Sequence, residues 1–258
     1  MGDVGFVTGD WAEARYHYER SAALARTTVP RYHSHALLHL AELSLLEGAT
    51  EEATEHIKQG LVVAEQCSDI ATTRKAGRLL AELDLAMRDA EGALARLQPL
   101  LDGLGQETPH AFPPPVLAEA YLDLGDAARA GELVLQRVER FRAQNHRRAL
   151  ALWLRVQGMV LAWQGHWQAA QGAFVEAVSS ARAMPYPYAE ARALYEWGIV
   201  FAKKGADGVV QEADGGSVTP LQEARERLQQ ALKIFQQLGA RPYIERTEQA
   251  LSALTSSR

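Results

Sequence analysis

The stretch QGHWQAAQGAFVEAV, residues 164–178, decides the fold. Gly165 ends one helical run. The next run carries Ala170, then the bulky Phe174 four residues on, then the small Ala177 three further. At 3.6 residues per turn these three positions share one helix face. Outward from this stretch the arrangement recurs along the chain. Earlier copies are GDWAEARYHYERSA (9–22, with Gly9, Ala14, Tyr18, Ser21) and EGATEEATEHIKQGL (47–61, with Gly48, Ala53, Ile57, Gly60). Next come MRDAEGALARLQPL (87–100, with Arg88 in the glycine's place, then Ala93, Leu97, Leu100) and LGDAARAGELVLQR (124–137, with Gly125, Ala130, Val134, Arg137). A last copy, LQEARERLQQAL (221–232), has Ala224, Leu228 and Ala231. The marker alanines 14, 53, 93, 130, 170 and 224 are spaced by 39, 40, 37, 40 and 54, so the final interval holds one repeat plus an insertion of 14 residues.

A first helix precedes each of the later copies, with a small residue at 41, 81, 118, 158 and 198. Two antiparallel helices approach closely only where a side chain is short, and a bulky neighbour fills the adjoining gap. The glycine between them suits a left-handed C-cap. Asp10, Thr50, Asp89 and Asp126 stand at or near the start of the following helix, where a side-chain oxygen can accept orphan backbone N–H groups.

With its small-and-bulky pattern, its turn Gly-Asp and its Ala-x-x-x-bulky-x-x-small second helix, the chain resembles a tetratricopeptide repeat protein over nearly all 258 residues. The resemblance implies an all-α, right-handed superhelical solenoid of antiparallel helix pairs. It departs from the family in two ways: the period is near 40 rather than about 34, and the terminal helix-breaking proline is mostly missing, although Pro30 and Pro185 lie in inter-repeat turns. The longer period, and the tail EARERLQQALKIFQQLGARPYIERTEQAL (223–251), are similar to the repeat regions of large bacterial ATP-dependent transcriptional regulators of the LuxR and maltose-activator type and of related signalling ATPases.

The chain therefore reads as one repeat domain over 1–258, with repeats at 1–28, 29–67, 68–105, 112–144, 146–184 and 187–238. The last is interrupted by 206–220, and a capping helix follows over 241–255. Met1–Thr8 is too short for a full first helix. It reads either as a native start or, more sharply, as the edge of a piece cut from a longer protein. ETPHAFPPPV (107–116) reads as a rigid linker, alternatively a polyproline ligand. The insertion reads as a flexible loop, with room for a small hairpin around Asp214-Gly215. Its Asp207, Glu212 and Asp214 lack the spacing of a calcium loop.

Composition narrows the class. Apolar residues are 47% and charged residues 23%, as in globular proteins. Ala (44) and Leu (33) far outnumber Ile and Val (21 together), which favours helix over sheet. No apolar stretch approaches the ~18 residues of a membrane span, and no signal peptide is visible. The single Cys67 excludes an internal disulfide and points to a reducing compartment, so cytoplasm is expected. A net charge of −5 argues against a nucleic-acid-coating protein, and neither membrane nor direct nucleic-acid binding is expected.

Catalytic signatures are missing: there is no phosphate-binding loop, no dinucleotide fingerprint, no H-E-x-x-H and no G-x-S-x-G. No enzyme, cofactor or metal is expected. His33, His35 and His39 form the one tempting cluster, with Glu42 the only candidate for a third ligand. Arg137, Arg140, Arg142, Arg147 and Arg148 gather around one turn, either as a solvated edge or as a dock for an acidic partner. By helix phase the tryptophans belong to the core, except Trp163.

In the resembled family the first helices line a concave groove, which is the default binding surface of a solenoid. The residues expected there are His35, Glu42, Lys75, Arg78, Glu82, Glu119, Asp123, Arg155, Met159, Trp163, Arg192, Tyr195, Ile199 and Lys203, with Leu38 beside His35. Glu42, Glu82 and Glu119 occupy equivalent positions. They read either as an acidic stripe for a ligand or as partners of neighbouring arginines such as Arg78. The later repeats substitute apolar and cationic residues. The expected function is a protein- or peptide-binding scaffold, the sensor or interaction region of a larger bacterial regulator or signalling ATPase. Its partner would be a peptide segment or another domain of the same parent chain. The alternatives are a small-molecule inducer receptor and a stand-alone adaptor.

Overall fold

The computed structural model describes residues 1–102, 114–206 and 219–256. Among them are thirteen helices and no strand, so the chain is all-α. Its contacts cluster into two compact units, 1–130 and 131–258. The proline-rich linker before Pro114 and the insertion from 207 to 218, with its hairpin and calcium readings, lie outside the described residues.

Unit 1 holds α1 (Gly2–Thr8), α2 (Trp11–Thr28), α3 (Pro30–Glu47), α4 (Thr50–Gln66), α5 (Ile70–Ala86), α6 (Ala90–Asp102) and α7 (Pro115–Asp123). The division falls within α8 (Ala127–Ala143). Unit 2 continues with α9 (Arg147–Trp163), α10 (Trp167–Ala183), α11 (Pro187–Ala206), α12 (Pro220–Leu238) and α13 (Arg241–Ser256). Within each unit, consecutive helices pack as antiparallel pairs, and first helices also touch the first helix of the next pair, as α3 does α5 and α9 does α11.

The repeat register explains the pairing. The marker alanines 14, 53, 93, 130, 170 and 224 are all buried. Twelve residues before Ala14, Ala53, Ala93, Ala130 and Ala170 stands a small residue: Gly2, Ala41, Ala81, Ala118 and Gly158. At Gly158 a Cβ would lie 2.7 Å from the Phe174 ring, at Gly198 2.7 Å from Leu228, and at Gly2 2.7 Å from Tyr18. In these three pairs the bulky residue of the second helix thus seats on a small one of its first helix. In unit 1, Leu38, Ala41 and Ile57 of one pair meet Ala76, Leu79 and Leu83 of the next in a single cluster. Fully burying one such leucine or isoleucine contributes about 1.5–3 kcal/mol.

The turns follow the caps. Gly9, Gly48, Gly125 and Gly165 all adopt positive φ, and Arg88 does the same with φ 67. Asp10, Asp89 and Asp126 accept hydrogen bonds from the backbone N–H three residues on, at 3.0, 2.8 and 3.1 Å. Thr50 makes no such cap; the helix start it sits on has no side-chain cap bond. Asp69 and Thr219 cap α5 and α12 instead.

Candidate functional site

In unit 1 the first helices bring Glu42, Lys75, Arg78 and Glu82 together. Arg78 Nη2 of α5 donates to Glu42 Oε1 of α3 at 2.7 Å, and its Nη1 donates to Glu82 Oε1 at 2.5 Å. Lys75 Nζ lies 2.9 Å from Glu42 Oε2 and 2.9 Å from His39 Nδ1. A charged ammonium only donates, so Nδ1 is the acceptor and His39 carries its proton on Nε2. That Nε2 is 3.7 Å from Asp3 Oδ1, and the Tyr18 hydroxyl donates to the same carboxylate at 2.7 Å. His39 stacks on Tyr18, with centroids 4.6 Å apart. One polar chain thus links α1, α2, α3 and α5.

Burial by itself would raise the Glu42 carboxyl, but Arg78 and then Lys75 outweigh it and hold it well below the usual range. Burial lowers the Lys75 ammonium in spite of Glu42. Burial, aided by the Lys75 charge, brings His39 down to about 3, so the ring is neutral. Burial raises Glu82 against the pull of Arg78, with Glu42 and Glu119 pushing the same way as burial. The expected acidic stripe is therefore, at Glu42 and Glu82, an ion network that joins one repeat to the next.

The remaining expected residues of this unit stand at its edge. His35 is exposed, edge-on to His39 at 4.6 Å. Glu119 is half-buried on α7, and Asp123 is exposed at its end. His33 Nδ1 lies 2.9 Å from the Ala22 carbonyl oxygen. Among the described residues no group of three His, Cys, Asp or Glu is placed to hold a metal ion.

Unit 2 presents a different face on α9, α11 and α13. Arg155 is 4% exposed. Its Nη1 sits 3.5 Å from Met159 Sδ and 3.8 Å from Glu196 Oε1. Arg192 Nη2 approaches that same oxygen at 3.7 Å. The Arg192 guanidinium lies 4.5 Å over the Tyr243 ring, and Tyr195 meets that ring edge-on at 5.6 Å. Phe235 stacks on Tyr243 at 5.0 Å. Ile199 is half-buried and Lys203 exposed. Trp163, the last residue of α9, is 59% exposed, while Trp11, Trp153 and Trp197 are buried.

Sequence reasoning missed three residues of these sites. Asp3 stands eleven residues before Ala14, the register of Glu42, Glu82 and Glu119 before their own alanines, so its signal was present. Glu196 and Tyr243 had no such signal. The arginine run is partly engaged: Arg142 bonds both oxygens of Glu176 at 2.7 and 2.8 Å, and Arg148 lies 5.4 Å over Tyr186. Charge separates the two units. Residues 1–130 hold 11 Lys or Arg against 20 Asp or Glu, a net of −9; residues 131–258 hold 16 against 12, a net of +4.

No protein-family model matches the chain, and no curated protein matches it. The repeat resemblance rests on the register itself. Among the described residues no helix is long and apolar enough to cross a membrane.

Proposed function

We propose that the chain is a non-catalytic, partner-binding helical-repeat scaffold, and that binding falls to the α9–α11–α13 face of unit 2. The carrying observation is Trp163. It alone of the five tryptophans is exposed, and it closes the helix that also carries Arg155 and Met159. Aromatic and arginine residues are the side chains that dominate protein interfaces. In unit 1 the corresponding helices spend their charges on one another. In unit 2 Arg155 and Arg192 turn to Glu196, but the face still offers an exposed indole, a half-buried isoleucine and the exposed Lys203 within a segment of net positive charge, which suits a peptide with an apolar anchor and acidic flanks. The resemblance to regulator repeats supports a role as the sensor or interaction region of a larger bacterial regulator. The lone, exposed Cys67 fits a reducing cytoplasm.

A photo-crosslinking residue at Trp163 should capture a partner that the same residue at Val62, an exposed position on α4, does not. With that partner purified, Trp163→Ala and Tyr195→Ala should each weaken binding at least tenfold, and Glu42→Gln should leave it unchanged. Unaltered affinity in a Trp163→Ala, Ile199→Asp double variant would remove this face from the reading.

A further inference from the structure

Lys75 and His39 meet in a geometry that holding two repeats together does not require. Lys75 Nζ, on α5, donates to His39 Nδ1 of α3 at 2.9 Å and to Glu42 Oε2 at 2.9 Å. The other ring nitrogen, His39 Nε2, faces Asp3 Oδ1 of α1 at 3.7 Å, and the Tyr18 hydroxyl of α2 holds that carboxylate at 2.7 Å. Tyr18 also stacks on the imidazole and sets its plane. An amine, a neutral imidazole within hydrogen-bond reach of it and a carboxylate behind the imidazole are the parts of an activated nucleophile: attacking group, base and orienting group. The remaining neighbours are Arg78, which shares Glu42 with Lys75, and His35, edge-on to His39. Burial, aided by the Arg78 charge, favours the neutral amine against the pull of Glu42.

We propose that Lys75 is a nucleophilic amine that captures small uncharged aldehydes as an imine, with His39 as its base and Asp3 as the positioning residue. The step balances without a further reactant. Nζ attacks the carbonyl carbon while one ammonium proton passes through His39 to the carbonyl oxygen, so a C–N bond and a hydroxyl form. The hydroxyl then leaves with a second nitrogen proton as water, and the C–N bond becomes C=N. The amine enters as an ammonium and ends as a protonated imine, so Glu42 faces one positive charge before and after. The aldehyde is small, because the Lys75 and His39 side chains are only 17% and 16% exposed. It carries no carboxylate, which Glu42 and Asp3 would repel. The capture is stoichiometric, so it makes no enzyme of the scaffold. The α9–α11–α13 face plays no part in it, so either reading stands or falls without the other.

The chain has few competing amines: its lysines are Lys58, Lys75, Lys203, Lys204 and Lys233. Lys58, Lys203 and Lys233 are exposed, so accessibility alone would place Lys75 behind them. The full chain is treated with limiting propanal and cyanoborohydride, which reduces the imine to a stable propylamine. Peptide mass spectrometry then ranks the lysines, with the terminal amine counted apart. The expected result is that Lys75 is labelled first, about tenfold faster than the three exposed lysines, a positioned base's contribution less the hindrance of burial. The preference should vanish in guanidinium chloride, where the geometry is gone. Asp3→Asn alters a side chain that is 70% exposed. It should slow Lys75 several-fold while Tm and the rates of the other lysines hold. His39→Gln keeps an acceptor but no base, and should slow Lys75 further. Labelling of Lys75 no faster than Lys58, a preference that survives in guanidinium chloride, or a Lys75 rate unchanged in both variants overturns the inference.

Discussion

Arg78 reaches back from α5 to Glu42 of α3 at 2.7 Å, from a register four residues earlier than that of the carboxylate it binds. Glu42 stands eleven residues before Ala53, and Arg78 fifteen before Ala93. A carboxylate near the end of one first helix thus meets a cation one turn earlier in the next. In α7 the register of Arg78 is held by Pro115, which has no charge to give, and Glu82 takes its cation from its own helix instead.

Removing Arg78 should cost more than a surface ion pair. Arg78→Ala leaves Glu42, whose side chain is 17% exposed, with Lys75 alone, and leaves Glu82 with no cation from its own helix. Breaking a buried pair costs ~3–5 kcal/mol and an exposed one under ~1, so this partly screened network should lose about 2 kcal/mol. Thermal unfolding followed by circular dichroism should show Tm falling by about 4–8 °C. A fall of less than one degree would mean that the network contributes nothing.

His39 gives the fold a dependence on acid. Its folded value is depressed to about 3 by burial and by Lys75. Between that value and the ordinary histidine value of about 6.5, the unfolded chain binds a proton that the folded chain refuses. Stability contributed by the neutral ring is therefore complete above about pH 6.5 and is lost as pH falls toward 3. Glu42, also depressed, loses its contribution in the same direction as pH drops below the usual carboxylate value. His39→Gln should flatten the slope of Tm against pH between 6 and 4. An unchanged slope would place the proton uptake elsewhere.

Arg88 is one of the non-glycine residues that adopt a positive φ, as Ser68, Asn145 and Pro185 also do. With φ 67 it occupies the turn where Gly9, Gly48, Gly125 and Gly165 stand in other pairs. A left-handed conformation costs an L-residue about 1–2 kcal/mol. Arg88→Gly should raise stability by about 1 kcal/mol, or about 2–4 °C in Tm. The mirror experiment is Gly125→Ala. No atom lies within 4 Å of the added Cβ, so any loss there is conformational alone, again about 1 kcal/mol.

The small-and-bulky contact can be tested as a pair. Gly158→Ala forces a methyl to within 2.7 Å of the Phe174 ring and should cost about 2 kcal/mol as overpacking. Phe174→Leu should cost stability alone but recover part of the loss when combined with Gly158→Ala. The expected sign of the double-mutant coupling is favourable. Strict additivity would mean that the two residues do not share the contact.

The fold was legible because its code is periodic and local. Ala53, Ala93 and Ala170 each announce a bulky residue four positions on, and burial follows. Thr50 misled because an oxygen side chain near a helix start is only an opportunity; Ala49 takes the N-cap position and Thr50 falls inside the helix. The site was legible wherever register alone decides neighbours, as between Glu42 and Arg78. Asp3 follows the same register, but it is separated from His39 by a whole helix in sequence. Tyr243 falls on the capping helix expected over 241–255. Its meeting with Arg192 and Tyr195 depends on how α13 lies against α11, and no spacing in the chain encodes that approach.

Asp69 joins two turns: it caps α5 through the Thr72 N–H at 3.3 Å and accepts from Arg31 Nε, near the start of α3, at 2.8 Å. Among the described residues, the helix contacts within each unit likewise join a helix to its own pair or to the next one. Structural order should therefore spread along each unit like a zipper, each pair templating its neighbour. A lesion at one pair would then raise hydrogen-exchange rates most in the pairs beside it and fade with distance along the chain.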